Sequence, residues 1–272
     1  MFDLDGTVYL GDELLPGARR LIEELRRRAR AIRFISNNPT RDPQQYAEKL
    51  SRLGLPTPAR EIVTTTVATT RWLLDNAPDA VVFAIGEAPL TNALGNAGIR
   101  MSSDPAEIDI VIASYDRAFD YAKLQIAFDA IWFHGRARLI ATNPDRFCPL
   151  PGGRGEPDCA AITAAIEACT QTRAVAILGK PHRAMLETAL AGLGVEPADC
   201  VMVGDRPGTD IRMGLDAGMA TALVLTGETG PADLAGLDPR EQPAIVLDRI
   251  DRLLPAAIWS ELGWREPVAE VG

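Results

Sequence analysis

Residues 1–10 read MFDLDGTVYL. Met1 and Phe2 run into Asp3, Leu4 separates Asp3 from Asp5, and Gly6 and Thr7 follow. An apolar run that ends in polar groups and then a glycine is how a buried strand leaves its sheet for a loop. The pattern recurs. "IRFI" runs into Ser36, "CVMV" into Gly204 and Asp205, and "AVAIL" into Gly179 and Lys180, just ahead of a helix. In an open α/β sheet, ligands bind outside the carboxyl ends of the strands. The spacing therefore permits, without requiring, one crevice shared by all of these groups. Only two residues precede Asp3, where a strand typically has about 5–6. The expectation is that the natural chain starts several residues upstream.

Outward from this stretch, apolar runs alternate with helical patterns, which predicts an α/β fold with a parallel sheet. In the first series, residues 15–29 and 42–55 read as helices, 31–36 as a strand, and 60–77 as one further helix. A second series alternates strands at 80–86, 108–114 and 137–143 with helices at 88–99, 121–133 and 159–169. The last third offers strands at 174–180, 200–205, 220–227 and 244–248, helices at 182–195 and 208–219, and an amphipathic helix over 249–264. Residues 149–158, PLPGGRGEPD, read as a flexible connection, and 265–272 as a frayed end.

Composition narrows the function. The 272 residues are 47% hydrophobic and carry a net charge of −9, which disfavours nucleic acid and anionic membranes as partners. The basic run at 19–33 has its charges at helical spacing and reads as a solvated helix face. Cys148, Cys159, Cys169 and Cys200 form no CxxC pair, and His134 and His182 stand alone, which argues against zinc. His182 reads as a helix-start residue. Few cysteines and no leader-like or membrane-spanning run lead us to expect a cytoplasmic protein.

If the strand ends converge, Asp3, Asp5, Asp205 and Asp210 crowd carboxylates together, which raises pKa values or demands a cation. Mg²⁺ suits such a site, because it takes a few carboxylates plus substrate phosphate. Lys180 and the Ser36 hydroxyl would face phosphate oxygens, and backbone N–H groups after Ser36 would add donors. The chemistry implied is phosphoryl transfer.

The segments DLDGT, SNN, GKP and GDRPGTD, in that order, resemble the four signatures of the haloacid dehalogenase superfamily. DGTVYLGDELLPGA, SNNPTR, TNPD and VLTGETG look more narrowly like its NagD-like subfamily IIA phosphatases, from Asp3 to about Gly230. The resemblance implies a Rossmann-like, doubly wound parallel core with an inserted α/β cap of type C2. Residues 1–77 and 177–272 would be the core and 78–176 the cap. Asp3 would be the nucleophile and Asp5 the general acid and base. Mg²⁺ would be held by the Asp3 carboxylate, the Asp5 carbonyl and Asp205, with Asp210 in contact or bridged by water. Ser36, the Asn37 N–H and Lys180 would bind the phosphoryl group. Asn143, Asp145, Asp116 and Arg117 are cap-side candidates for substrate contact.

The expected activity is hydrolysis of a small phosphorylated metabolite such as a sugar phosphate, a nucleotide or 4-nitrophenyl phosphate. Retention of Asp5 favours ester hydrolysis over dehalogenation, which needs no leaving-group acid. A phosphomutase and a non-catalytic phospho-accepting or metabolite-sensing module remain the alternatives. A homodimer fits the resemblance. One departure is Pro207-Gly208, where NagD-like proteins commonly carry Leu-Asp; it leaves one fewer charge near the metal.

Overall fold

The computed structural model describes residues 1–150 and 154–265. The chain opens with β1 (Phe2–Asp3), a hairpin of β2 (Tyr9–Leu10) and β3 (Glu13–Leu14), then α1 (Ala18–Arg27), β4 (Phe34–Ser36), α2 (Pro43–Arg52), β5 (Ile62–Thr64) and α3 (Thr65–Asn76). A second series runs β6 (Val81–Ile85), α4 (Ala88–Asn96), β7 (Arg100–Met101), β8 (Ile110–Ala113), α5 (Tyr121–Phe128) and β9 (Arg138–Ala141). It continues with the strand pair β10 (Phe147–Leu150) and β11 (Arg154–Pro157), α6 (Cys159–Thr170) and β12 (Ala176–Ile177). Last come α7 (Arg183–Leu190), β13 (Val201–Gly204), α8 (Arg212–Asp216), β14 (Ala220–Val224), β15 (Ile245–Leu247) and α9 (Ala256–Glu261).

The first sheet is parallel with strand order β15-β14-β13-β1-β4-β5. From β1 the chain builds outward through β4 and β5, then returns to build the other way from β13. The strand order therefore reverses between β1 and β13, which makes the crevice at their carboxyl ends the place for a ligand. Short as it is, β1 is paired on both edges: Phe2 lies opposite Val203 and Phe34, and Asp3 opposite Ile35.

Both faces of this sheet are buried, which explains the continuous apolar runs. Alternate residues Phe2, Phe34, Ile62 and Val203 pack with Leu21 and Ile22 of α1. Ile35, Val63 and Met202 point the other way, against Met185 and Leu186 of α7 and Met213. The basic run forms α1, where Glu24 takes both Arg27 and Arg28. A capping box starts α2: Asp42 accepts from the Gln45 N–H at 2.8 Å and Gln45 accepts from the Asp42 N–H at 2.9 Å.

The second sheet is also parallel, in the order β12-β9-β8-β6-β7. One face packs on α5 and α6 through Ala127, Ile162 and Ile166. The other shares an apolar cluster with Leu73 of α3 and Ala184 of α7, which joins it to the first sheet's helices.

Several expectations change. The 60–77 segment contributes strand β5 before α3, because Ile62, Val63 and Thr64 pair with Phe34, Ile35 and Ser36 of β4 at the edge of the sheet. The 174–180 strand is only Ala176–Ile177, and it pairs with β9 in the second sheet, so the division drawn at 176/177 falls inside β12. The 208–219 helix starts as a π turn over Pro207–Ile211, with the Asp210 carboxylate folded back onto the Arg206 N–H at 3.1 Å. The 249–264 helix is broken by Pro255 into a 3₁₀ turn at Ile250–Leu253 and α9. The 149–158 segment, read as a flexible connection, is instead mostly strand: β10 runs to Leu150 and pairs antiparallel with β11 over Arg154–Pro157, while residues 151–153 and the frayed end from residue 266 lie outside the described residues.

Candidate active site

Strand β1 carries Asp3 to the reversal point, β13 ends at Gly204 beside Asp205, and the π turn after it presents Asp210. All three carboxylates are buried, and each has an oxygen within 4.8 Å of the others. Gly6 makes the approach possible: its φ of 78° suits glycine, and a Cβ there would run into the Asp205 carboxylate.

Lys180, 2% exposed, is the counter-charge. Its ammonium pairs with Asp3 and, at 2.7 Å, with Asp210 Oδ1. It arrives from the second sheet through β12, so both sheets contribute to the cluster. Asp205 Oδ2 accepts from the Glu228 N–H at 2.7 Å, while its buried Oδ1 has no hydrogen-bond partner among the described residues.

Burial pushes the Asp3 carboxyl well above the usual range; Lys180 opposes this, and Asp210 and Asp205 add to it. Burial and then the Asp210 charge raise Asp205 to about 6. Burial alone would lower Lys180, but Asp210 and Asp3 overcome it and hold the ammonium charged. Three buried carboxylates against one ammonium, with an unpartnered oxygen among them, fit a small hard cation that takes oxygen ligands.

The phosphate-side candidates surround this group. Ser36 is buried; its Oγ accepts from the Asn38 N–H at 3.2 Å and lies 3.3 Å from the Tyr46 hydroxyl. The Asn37 side chain is bound to the Lys180 backbone: Nδ2 donates to the carbonyl at 3.2 Å and Oδ1 accepts from the N–H at 2.7 Å. Asp5 stands apart from the cluster, exposed at the mouth, and its Oδ2 accepts from the Tyr9 hydroxyl at 2.9 Å.

The second-sheet candidates divide into two pairs. Asn143 and Asp145 reach the site: Asn143 Oδ1 accepts from the Asp145 N–H at 2.9 Å, and Asp145 lies 3.5 Å from Arg206. Asp116 and Arg117 are not brought there. Asp116 pairs with Lys123 at 2.6 Å and Arg117 with Glu87 at 2.6 Å, and these local partners take up their charges. His182 caps α7, its Nδ1 accepting from the Ala184 N–H at 3.2 Å. The four cysteines are free thiols.

Sequence reasoning passed over Arg206, Tyr9, Tyr46 and Lys49. Arg206 stands inside GDRPGTD and Tyr9 inside the opening motif, which was the available signal; nothing in the spacing marked Tyr46 or Lys49.

Comparison with known proteins agrees with this geometry. Residues 1–100 match the family described as haloacid dehalogenase-like hydrolase, and 177–253 match a HAD-hydrolase-like family. The sugar-phosphatase AraL of Bacillus subtilis is 37% identical over 227 residues, covering 84% of this chain and 82% of its own. The chain belongs to the haloacid dehalogenase family. The crystal structure of 4-nitrophenylphosphatase from Thermotoga maritima, at 33% identity, superposes with a TM-score of 0.86 over 93% of this chain and 94% of its own. NagD from E. coli K-12 gives a TM-score of 0.82 at 26% identity, over 92% and 95%. The NagD-like resemblance and the core-plus-cap α/β architecture of the family are thus present along nearly the whole chain. No helix among the described residues is long and apolar enough to cross a membrane.

Proposed function

We propose that this protein is a Mg²⁺-dependent phosphatase of small phosphomonoesters, sugar phosphates foremost, working through an aspartyl-phosphate on Asp3. The observation that carries the reading is the buried group of Asp3, Asp205, Asp210 and Lys180 at the strand-order reversal. Relatives named sugar-phosphatase and 4-nitrophenylphosphatase support the substrate class.

Asp3, Asp205 and the Asp5 carbonyl would hold Mg²⁺, with Asp210 in contact or bridged by water. Bound there, the ion would neutralise the carboxylates and draw charge from the phosphoryl oxygens. Lys180, Ser36 Oγ and the Asn37 N–H orient the phosphoryl group. An Asp3 oxygen attacks phosphorus, the bond to the leaving oxygen breaks, and Asp5 gives that oxygen its proton. Asp5, now a carboxylate, takes a proton from water as the water oxygen attacks phosphorus. The bond from phosphorus to Asp3 then breaks and inorganic phosphate leaves. The unit built on the second sheet, about residues 78–176, acts as the cap that excludes bulk water and meets the leaving group through Asn143 and Asp145. The free thiols suit a reducing cytoplasm.

The test is hydrolysis of 4-nitrophenyl phosphate by the purified protein with Mg²⁺. EDTA should stop it, and Asp3→Asn should lose roughly three orders of magnitude or more in kcat. Full activity in Asp3→Asn would sink the assignment.

A further inference from the structure

We infer that Tyr9 is a positioning residue for Asp5, and that Lys49 strengthens Tyr9 as a hydrogen-bond donor. The inference rests on the phosphatase reading above.

Asp5 is exposed, and a carboxylate at a solvent-facing mouth samples several rotamers unless something holds it. Tyr9 holds it. The ring is fully buried, and its hydroxyl donates to Asp5 Oδ2 at 2.9 Å, which is the hydrogen bond to the Asp5 carboxylate among the described residues. The backbone fixes the spacing between them. Asp5 and Tyr9 form an isolated bridge, and the Gly6 N–H donates to the Tyr9 carbonyl at 2.8 Å. One carboxylate oxygen is thereby held, and the other is left for the leaving group. Tyr9 exchanges no proton in the reaction; burial and the neighbouring Asp5 charge keep it a neutral phenol.

Lys49 is the second observation. It lies in α2, is 5% exposed, and its ammonium sits 3.6 Å from the centroid of the Tyr9 ring. That ammonium has neither a hydrogen bond nor an ion pair among the described residues, so the ring face, together with the more distant charges of Asp5 and Asp12, compensates its burial. A cation on the π face draws electron density from the phenol and makes its O–H a better donor. A core role alone does not account for an unpaired lysine in this position, which an apolar side chain would fill more cheaply.

The leaving group separates the two roles. 4-Nitrophenolate departs without a proton, whereas an alkoxide needs the Asp5 proton as the P–O bond breaks. With the full chain and Mg²⁺, kcat/KM is measured for 4-nitrophenyl phosphate and for glycerol 3-phosphate or the sugar phosphate that wild type turns over best. Tyr9→Phe keeps the ring and should lose about tenfold or more in kcat/KM, which covers the steps through departure of the leaving group, with the alkyl substrate, but less than about threefold with 4-nitrophenyl phosphate. Lys49→Met leaves the hydroxyl in place and should show the same selectivity at about threefold, so the test stands even if Tyr9→Phe folds poorly. Equal losses on both substrates, or none on either, overturn the inference while the phosphatase reading survives. A wild type inert toward both substrates overturns that reading, and the inference with it.

Discussion

Asn37 and Lys180, 143 residues apart in sequence, are joined by two hydrogen bonds between the Asn37 side-chain amide and the Lys180 backbone. Asn37 follows the second strand of the first sheet and Lys180 follows the edge strand of the second. The amide therefore fixes, across the two sheets, the point from which the ammonium reaches Asp3 and Asp210.

Asn37→Ala should leave the buried Lys180 N–H and carbonyl unpaired. We expect a loss of about 2–4 kcal/mol in urea unfolding and a larger fall in activity than in binding of inorganic phosphate. Asn37→Asp keeps the acceptor for the Lys180 N–H but adds a charge beside the acid cluster. It should restore little, and retained stability and activity in either variant would contradict the clamp.

Asp251 is fully buried against Gly17 at the start of α1, where Arg20 and, at 2.8 Å, Arg249 pair with it. Removing its charge strands two guanidinium groups. Asp251→Asn should cost about 3–5 kcal/mol by chemical denaturation, with KM for substrate unchanged in the fraction that folds.

Asp158 caps α6 and is 3% exposed. Burial lifts its pKa from 3.8 to about 7, against the Cys159 N–H and with help from Asp145. Between those values the folded chain keeps a proton that the unfolded chain has released. This group's contribution to stability is therefore intact below about pH 4, falls as pH rises to about 7, and is level above. Relative to Asp158→Asn, wild type should lose up to about 1.4 kcal/mol per pH unit across that window. A pH-independent difference between the two would mean that the carboxyl ionises in its ordinary range.

Arg206 reaches from the first sheet's loop to Asp145 at 3.5 Å, and to Glu228 at 3.0 Å. Because Asp145 is mostly buried, Arg206→Ala leaves a carboxylate unpaired. The double variant with Asp145→Asn should be more stable than Arg206→Ala alone, with a coupling of about 1–2 kcal/mol from a double-mutant cycle. Strict additivity would show that the pair does not tie the two units together.

Much of this molecule is legible along the chain. Strands that are buried on both faces read as apolar runs, and their polar ends mark Asp3, Ser36, Lys180 and Asp205, while Asp210 is marked by the GDRPGTD segment. Short or two-sided elements read poorly. Thr64 and Thr65 belong to a strand and a helix in succession, and a helical window cannot separate them. The β12 strand has only two residues, and its neighbour β9 is a matter of pairing, not of composition. Asp116 and Arg117, in the segment SYDRAF, read as cap-side candidates for substrate contact. Their charges go to Lys123 and Glu87, which no spacing rule foretells.

What the sequence determined by itself was the kind of chemistry. Residue type sets which groups can attack phosphorus, carry a proton or bind a cation, and the apolar periodicity sets which strand each one ends. What only the tertiary structure decided was arrangement. The strand order puts β1 beside β13, so that carboxylates about 200 residues apart share one buried space. Packing also places Tyr9 between Asp5 and Lys49 and makes the Asn37 side chain a clamp on Lys180. These depend on distances across the sheet and on exclusion of water, and neither is a property of a residue's neighbours in the chain.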